Sequence, residues 1–286
     1  MTERIFTKLE MRSAILEARH EGKTVGLVPT MGALHEGHLS LVHAACARTD
    51  LVVVSIFVNP IQFAPGEDFE RYPRDIEADL DLLGADGVEL VFTPSVECMY
   101  GAGTQATIEP GPLAASWEGE VRPGHFVGAA TVVGKLFNIV RPDLAFFGEK
   151  DYQQLKIVQR MSRDLDLGVG VIGCPIVRDK RGLALSSRNA YLTADERAAA
   201  LSLPEALAAA AAALAAGERD ARALEAAMRE VVTRCGGGLV TLDYAAVVDP
   251  ETLGPLRQVS APARALIAGS VGTTRLMDNR ALLPTL

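Results

Sequence analysis

Two histidines three residues apart, His35 and His38, stand in the stretch VGLVPTMGALHEGHLSLV that runs from residue 25 to 42. Val25–Val28 reads as a buried strand, Pro29 and Gly32 as a tight turn, and a helix is expected to open near His38. The start of a helix offers unpaired backbone N–H groups and a partial positive charge, so this position suits an anion. Gly32 and Gly37 let the backbone approach a phosphate where a side chain would intervene, and imidazole N–H groups can donate to phosphoryl oxygens. A zinc protease would need histidines at i and i+4 on a formed helix, whereas these are at i and i+3 in a turn. The plainer alternative is a pair of surface histidines beside a turn.

Other residues carry chemistry with less force. Gly148-Glu149-Lys150-Asp151 closes one apolar run and opens a helical one. There the Lys150 ammonium can reach phosphate oxygens and Asp151 can accept from ribose hydroxyls. Asp151 is equally an acceptable helix cap, with Gln154 completing a capping-box spacing. Asn59-Pro60-Ile61-Gln62-Phe63 follows the run Leu51–Val58; Gln62 could hold a small hydroxy acid, or the pentamer could be a polar turn. Arg122 could neutralise a phosphate or a carboxylate, and His125 beside it is more often a packed, hydrogen-bonded histidine than a catalyst. Asp75, Glu77, Asp79 and Asp81 make an acidic helix face. Ser186-Ser187-Arg188-Asn189 offers two hydroxyls and a guanidinium, a set that suits β- and γ-phosphates, although alone it is an ordinary loop tetrapeptide.

The elements that must position these residues alternate. Residues 4–20 read as strand then helix, with Met11, Ile15 and Leu16 as its stripe; a helix over 39–48 turns Leu39, Val42 and Cys46 inward. Leu51–Val58 suits a strand covered on both faces, followed by an acidic helix from 74 to 83 and a strand over 88–94. Residues 94–123, rich in Gly and Pro, are expected to be irregular or to form short strands. A helix over 127–140, a strand over 144–148, the helix after Lys150 and a last strand over 169–177 complete a doubly wound parallel α/β sheet. Ligands of such sheets collect outside the carboxyl ends of strands, where the histidine turn and Asn59 both fall. Past residue 177 a flexible-looking polar segment leads to Thr193-x-x-Glu196, a capping box, and Ser202-x-x-Glu205 looks like a second helix start after Pro204 interrupts the first. An Ala-rich helix to 216 and strands over 239–248 and 264–277 make residues 178–286 a smaller α+β domain, expected to cover the site, beside a Rossmann-like domain over 1–177.

At 286 residues with 49% hydrophobic and 22% charged content, the chain can bury a substantial core. A net charge of −8 argues against nucleic acid as the main partner but not against ATP. Outside the Ala-rich tract no long apolar run offers a membrane span, and the first residues lack an apolar signal core, so the cytoplasm is expected. Cys46, Cys98, Cys174 and Cys235 lie far apart and read as buried free thiols.

Set between strand and helix, H-x-G-H resembles the signature of the α/β nucleotidyltransferase superfamily that includes class I aminoacyl-tRNA synthetases. The longer PTMGALHEGH, with NPIQF, YPR at Tyr72–Arg74, RPGHF, GEKD and SSRN, resembles the pantoate–β-alanine ligases, and the likeness runs from Leu27 to Asn279. It departs at Arg181 and Asp179, where Asp and Glu are usual. The resemblance implies an enzyme that condenses pantoate with β-alanine through a pantoyl adenylate, using ATP and Mg²⁺. It assigns catalysis to His35, His38, Lys150 and Arg188, with His38 treated in the family as a proton donor. ATP would be held by Met31, Gly32, His35, Gly37 and His38, by Gly148, Lys150 and Asp151, and by Val177, Leu185, Ser186, Ser187 and Arg188. Pantoate and β-alanine would meet Asn59, Gln62, Tyr72, Arg122 and Gln154, and Asp79 is the best match to a magnesium-associated carboxylate. A homodimer is also implied. The alternatives are a nucleotidyltransferase that stops at an adenylated product, and a nucleotide-binding sensor without chemistry.

Overall fold

The computed structural model describes residues 2–283 and divides into two compact units, one comprising 1–149 and 153–175, the other 150–152 and 176–286. The ends of the two expected domains, residues 1 and 284–286, lie outside the described residues.

The first unit is a parallel sheet wrapped by helices. In chain order it runs β1 (Glu3–Ile5), α1 (Lys8–His20), β2 (Val25–Thr30), α2 (Glu36–Cys46), β3 (Leu51–Ile56), a 3₁₀ turn at Pro60–Gln62, α3 (Ile76–Ala85) and β4 (Leu90–Phe92). It continues through α4 (Val96–Tyr100), a 3₁₀ turn at Gly111–Ala114, α5 (Glu118–Val121), α6 (His125–Val140), β5 (Leu144–Gly148), a 3₁₀ turn at Glu149–Asp151, α7 (Tyr152–Asp164) and β6 (Gly170–Cys174), with 150–152 of that turn and helix counted in the second unit. The strand order is β1-β4-β3-β2-β5-β6, every pair parallel. The order reverses between β2 and β5, so the chain leaves the carboxyl ends of these strands at a topological switch point. β2 pairs with β5 only through Gly26 and Leu27, whereas it pairs with β3 as far as Thr30. Pro29, which has no N–H to give, therefore sits where the β5 side of the ladder has already ended.

Local sequence explains most of these elements. β3 is buried along nearly its whole length, as a mostly apolar strand covered on both faces must be. α6 is almost all buried, and α1 starts on a Thr7–Glu10 capping box. Several expectations need correcting. α2 opens at Glu36 rather than near His38, because His35 serves as its cap. Residues 94–123 contain two short helices and a 3₁₀ turn, and among the described residues no strand. Leu16 is exposed; Ala18 joins Met11 and Ile15 in the core instead. Of the cysteines only Cys174 is buried, and Cys46 and Cys235 are exposed.

The second unit packs helices on an antiparallel sheet. A 3₁₀ turn at Ser187–Tyr191 precedes α8 (Ala194–Ala200), α9 (Ser202–Ala215) and α10 (Ala221–Cys235), then β7 (Val240–Val248), β8 (Ala263–Val271) and β9 (Thr274–Leu282) in the order β7-β8-β9. The capping box at Thr193 is present, but Ser202 caps nothing: Leu201 alone separates α8 from α9, and Pro204 lies in the first turn, where its missing N–H is no loss. The run expected as one strand over 264–277 is a hairpin that turns at Gly272, whose φ is +57°. Ala194–Ala215 is long and apolar enough to cross a membrane by length and composition, yet Leu203, Leu207 and Leu214 are buried in this unit's core.

Candidate active site

The histidine turn is built from its backbone upward. Gly32 has φ +82°, and a Cβ there would meet an Asp79 carboxylate oxygen at 2.9 Å and Ile56 at 3.0 Å. Ala33 also takes a left-handed conformation, φ 52°, unusual for a residue with a Cβ. What holds it is Asp79, from α3: one carboxylate oxygen accepts the Ala33 N–H at 3.0 Å and the other accepts the Leu34 N–H at 2.7 Å. Burial pushes the Asp79 carboxyl above its usual range, and the two amides oppose that. Asp79, expected beside magnesium, thus binds the backbone of the turn through both carboxylate oxygens. Among the described residues no group of three or more His, Cys, Asp or Glu side chains could hold a metal ion.

His35 then caps α2 in an extended conformation, its Nδ1 accepting the Gly37 N–H at 3.1 Å. That bond puts the imidazole proton of neutral His35 on Nε2, so the outer edge of the ring is a donor. His38 lies over it with ring centroids 4.1 Å apart. Gly37 is in the first turn of the helix. The site thus joins helix N–H groups to two imidazoles, an arrangement suited to an anionic group that gains charge during reaction.

A second cluster forms where the chain leaves β3. Asn59 is 1% exposed; its Nδ2 donates to the Gly128 carbonyl at 3.2 Å and to Gln62 Oε1 at 3.0 Å. Gln62 Nε2 in turn lies 3.2 Å from Met31 Sδ, bringing the β2 and β3 ends together. The close fit needs Gly128: a Cβ there would sit 2.3 Å from the Ile61 carbonyl oxygen. Tyr72 is buried and meets Phe63 edge-on at 6.2 Å.

Arg122 already has protein partners. Its guanidinium makes a bidentate pair with Glu67, at 2.7 and 2.6 Å, and also donates to His125 Nε2 at 3.2 Å. An Arg can only donate, so His125 Nε2 is an acceptor and its Nδ1–H donates to the Gln62 carbonyl at 2.9 Å. Burial, and then the neighbouring Arg122 charge, bring the His125 pKa down to about 4, so the ring is neutral near pH 7. Burial raises the Glu67 carboxyl, but the bonds and charge of Arg122 outweigh it and hold the group below its usual range. The group latches the Gln62 loop to the start of α6.

Of the glutamines at the start of α7, the sequence singles out Gln154, but Gln153 is the one held by the fold. Gln153 donates to the Leu113 and Ser116 carbonyls and accepts the Glu118 N–H. Among the described residues the Gln154 carboxamide makes no hydrogen bond, which leaves it open to a ligand; Gln153 carries no sequence signal that separates it from its neighbour.

In the second unit Lys150 pairs with Asp151 at 3.3 Å, and the segment is anchored by β8 and β9. Asn279 Nδ2 donates to the Lys150 carbonyl at 2.9 Å, while its Oδ1 accepts from Arg264 Nε at 2.8 Å. Arg264 also covers the Tyr152 ring at 4.0 Å. The segment after residue 176, expected to be flexible, is tightly bonded. Arg178 pairs with buried Asp278 at 2.6 and 2.8 Å, Leu185 N–H donates to the Val177 carbonyl at 2.9 Å, and Asp179 accepts from the Arg181 and Leu183 amides. The shorter Asp179 thus serves as a brace. Ser186 caps the 3₁₀ turn that carries Ser187 and Arg188, and Lys150 and Ser186 line a small, water-sized cavity with Asn189 and Asp278. Arg264, Asp278 and Asn279 were not candidates from sequence, although the family likeness runs as far as Asn279.

Comparison with known proteins identifies the family. The family model described as pantoate-beta-alanine ligase matches residues 4–281. A pantothenate synthetase of Rubrobacter xylanophilus is 57% identical over 281 residues, 96% of each chain. The crystal structure of pantothenate synthetase from Thermus thermophilus superposes with a TM-score of 0.94 at 47% identity, covering 99% of this chain and 100% of that one. That of the pantoate-beta-alanine ligase from Francisella tularensis, complexed with beta-gamma ATP and beta-alanine, has a TM-score of 0.81 at 32% identity, covering 98% and 97%. From the histidine turn to β9, the chain belongs to the pantoate–β-alanine ligase family.

Proposed function

We propose that this chain, an enzyme of the ligase family just named, activates pantoate as an adenylate and transfers the pantoyl group to β-alanine. A pantoate carboxylate oxygen attacks the α-phosphorus of ATP, the bond to the β-phosphate oxygen breaks, and pyrophosphate leaves. The β-alanine amine then attacks the acyl carbon, AMP departs with the carboxylate oxygen, and the amine loses a proton to give pantothenate. The observation that carries this reading is the α2 N-terminus, capped by His35 with His38 stacked on it.

The first step brings an anion to a polyanion, so the barrier is largely one of charge. In this reading His35, His38 and the α2 amides take the charge that builds on the α-phosphate, with Met31, Gly32 and Gly37 lining its approach. Lys150 and Arg188, with Ser186 and Ser187, act on the remaining phosphates; Gly148, Asp151, Val177 and Leu185 contact the rest of the nucleotide. Gln62 and Gln154 hold pantoate in line, Asn59 orients Gln62, and Tyr72 borders that pocket. Arg122 acts by holding the Gln62 loop, as its pairing with Glu67 favours. No side-chain nucleophile is required. Magnesium enters as part of the Mg·ATP substrate, since the Asp79 carboxylate is engaged by backbone amides. A homodimer in the cytoplasm completes the proposal; the dimer rests on the family likeness, and sedimentation of the purified chain checks it.

The test is release of AMP and pyrophosphate from Mg·ATP with pantoate, with and without β-alanine. Sustained AMP release only when both substrates are present is the expected result. Pyrophosphate limited to one equivalent per site and unchanged by β-alanine would leave an adenylating enzyme that uses another amine.

A further inference from the structure

We propose that Tyr100 is a positioning residue for pantoate, acting through Asn59 to fix which edge of the Gln62 carboxamide faces the substrate. A carboxamide can present oxygen or nitrogen, and the choice is set by its fixed neighbours. Here the fixed point is the Gly128 backbone carbonyl, which can only accept, 3.2 Å from Asn59 Nδ2. The second Nδ2 hydrogen goes to Gln62 Oε1 at 3.0 Å. Asn59 Oδ1 must then face away from both, and there the Tyr100 hydroxyl donates to it at 2.5 Å.

The consequence passes to Gln62. Its oxygen is occupied by Asn59, so its nitrogen is the free edge, with only the weak thioether acceptor of Met31 beside it at 3.2 Å. Gln62 therefore offers N–H donors, which select a ligand bearing an acceptor oxygen, such as a carboxylate or hydroxyl of a hydroxy acid. Tyr100 stands at the last residue of α4, in the stretch whose sequence reads as irregular, with Phe57 6.1 Å from its ring and Lys135 over its face at 5.6 Å. Burial raises the pKa of its phenol, so it keeps its proton at any working pH. Without that hydroxyl a buried acceptor on Asn59 loses its partner, and the amide is held by its nitrogen edge alone.

The inference rests on the reading of Gln62 as a pantoate-binding residue, and the experiment separates the two. Tyr100→Phe keeps the ring and removes only the hydroxyl. Pantoate-dependent pyrophosphate release is measured for it, for Gln62→Ala and for the double variant, with KM for pantoate and for ATP determined separately. Tyr100→Phe is expected to raise the pantoate KM about three- to tenfold, the range of one hydrogen bond, with the ATP KM unchanged. In the Gln62→Ala background it should add nothing. If Gln62→Ala raises the pantoate KM and Tyr100→Phe does not, the positioning role is wrong and the reading of Gln62 stands. If neither raises it, both are wrong. A rise in both KM values alike after Tyr100→Phe would mark a merely structural residue and overturn the inference.

Discussion

The histidine turn of the first unit and the Lys150 segment of the second are both short stretches at the end of a strand, yet they are held in different ways. The turn gathers its groups locally: the cap, the first helix amides and both imidazoles lie within four residues of sequence, and Asp79 braces the turn from α3. Lys150 owes its placement to β8 and β9, more than a hundred residues later, through Asn279 and Arg264. The first kind of site survives as a readable motif. The second is distributed, and its supports look like ordinary strand residues.

The comparison can be broken most sharply at the histidines. His38→Ala should slow adenylate formation about 10²- to 10³-fold, the scale of losing one transition-state donor, while pantoate binding changes little. Single-turnover pyrophosphate release and equilibrium pantoate binding separate the two, and equal losses would mean that His38 only shapes the pocket. Next in size is Asp79→Asn, which sets an amide group against a backbone N–H. A loss of about 2–3 kcal/mol in urea unfolding is expected, with activity that added magnesium does not restore. Recovery at high magnesium would make Asp79 a metal ligand after all.

A smaller effect belongs to the latch around Gln62. The folded His125 pKa of about 4 lies below its ordinary value of 6.5, so the unfolded chain binds more protons between these values. Stability is therefore full above pH 6.5 and falls as the pH drops towards 4, by on the order of 1.5 kcal/mol between pH 6.5 and 5. Glu67, held below its ordinary value of 4.5, adds a loss at lower pH still. His125→Gln should flatten unfolding free energy against pH over the first window; an unchanged slope would locate the titration elsewhere. The smallest effect tests the distant brace. Asn279→Ala should cost about 1 kcal/mol of stability and lower kcat while leaving the pantoate KM unchanged. A rise in pantoate KM instead would deny that the brace acts through Lys150.

The same contrast explains what could be read in the sequence. The alternating strands and helices, the histidine turn, and the capping box at Thr193 are local patterns, and local patterns survive in one dimension. The cap by His35 was missed because imidazole is not among the usual capping side chains. The bracing role of Asp79 could not be read, because its partners, the Ala33 and Leu34 amides, carry no side-chain signal. The pairing of Arg122 with Glu67 was not legible because the two lie 55 residues apart. Gln153 and Gln154 are adjacent and identical in type, and only the surrounding carbonyls distinguish them.

The central claim is that pantoate is activated on the α-phosphorus, and labelled oxygen tests it most directly. Pantoate carrying ¹⁸O in its carboxylate would be turned over with Mg·ATP and β-alanine, and the products examined by mass spectrometry. The account predicts one ¹⁸O in the phosphoryl group of AMP and one in the amide carbonyl of pantothenate. Label in inorganic phosphate instead, with ADP as the nucleotide product, would mean attack on the γ-phosphorus and would contradict the account.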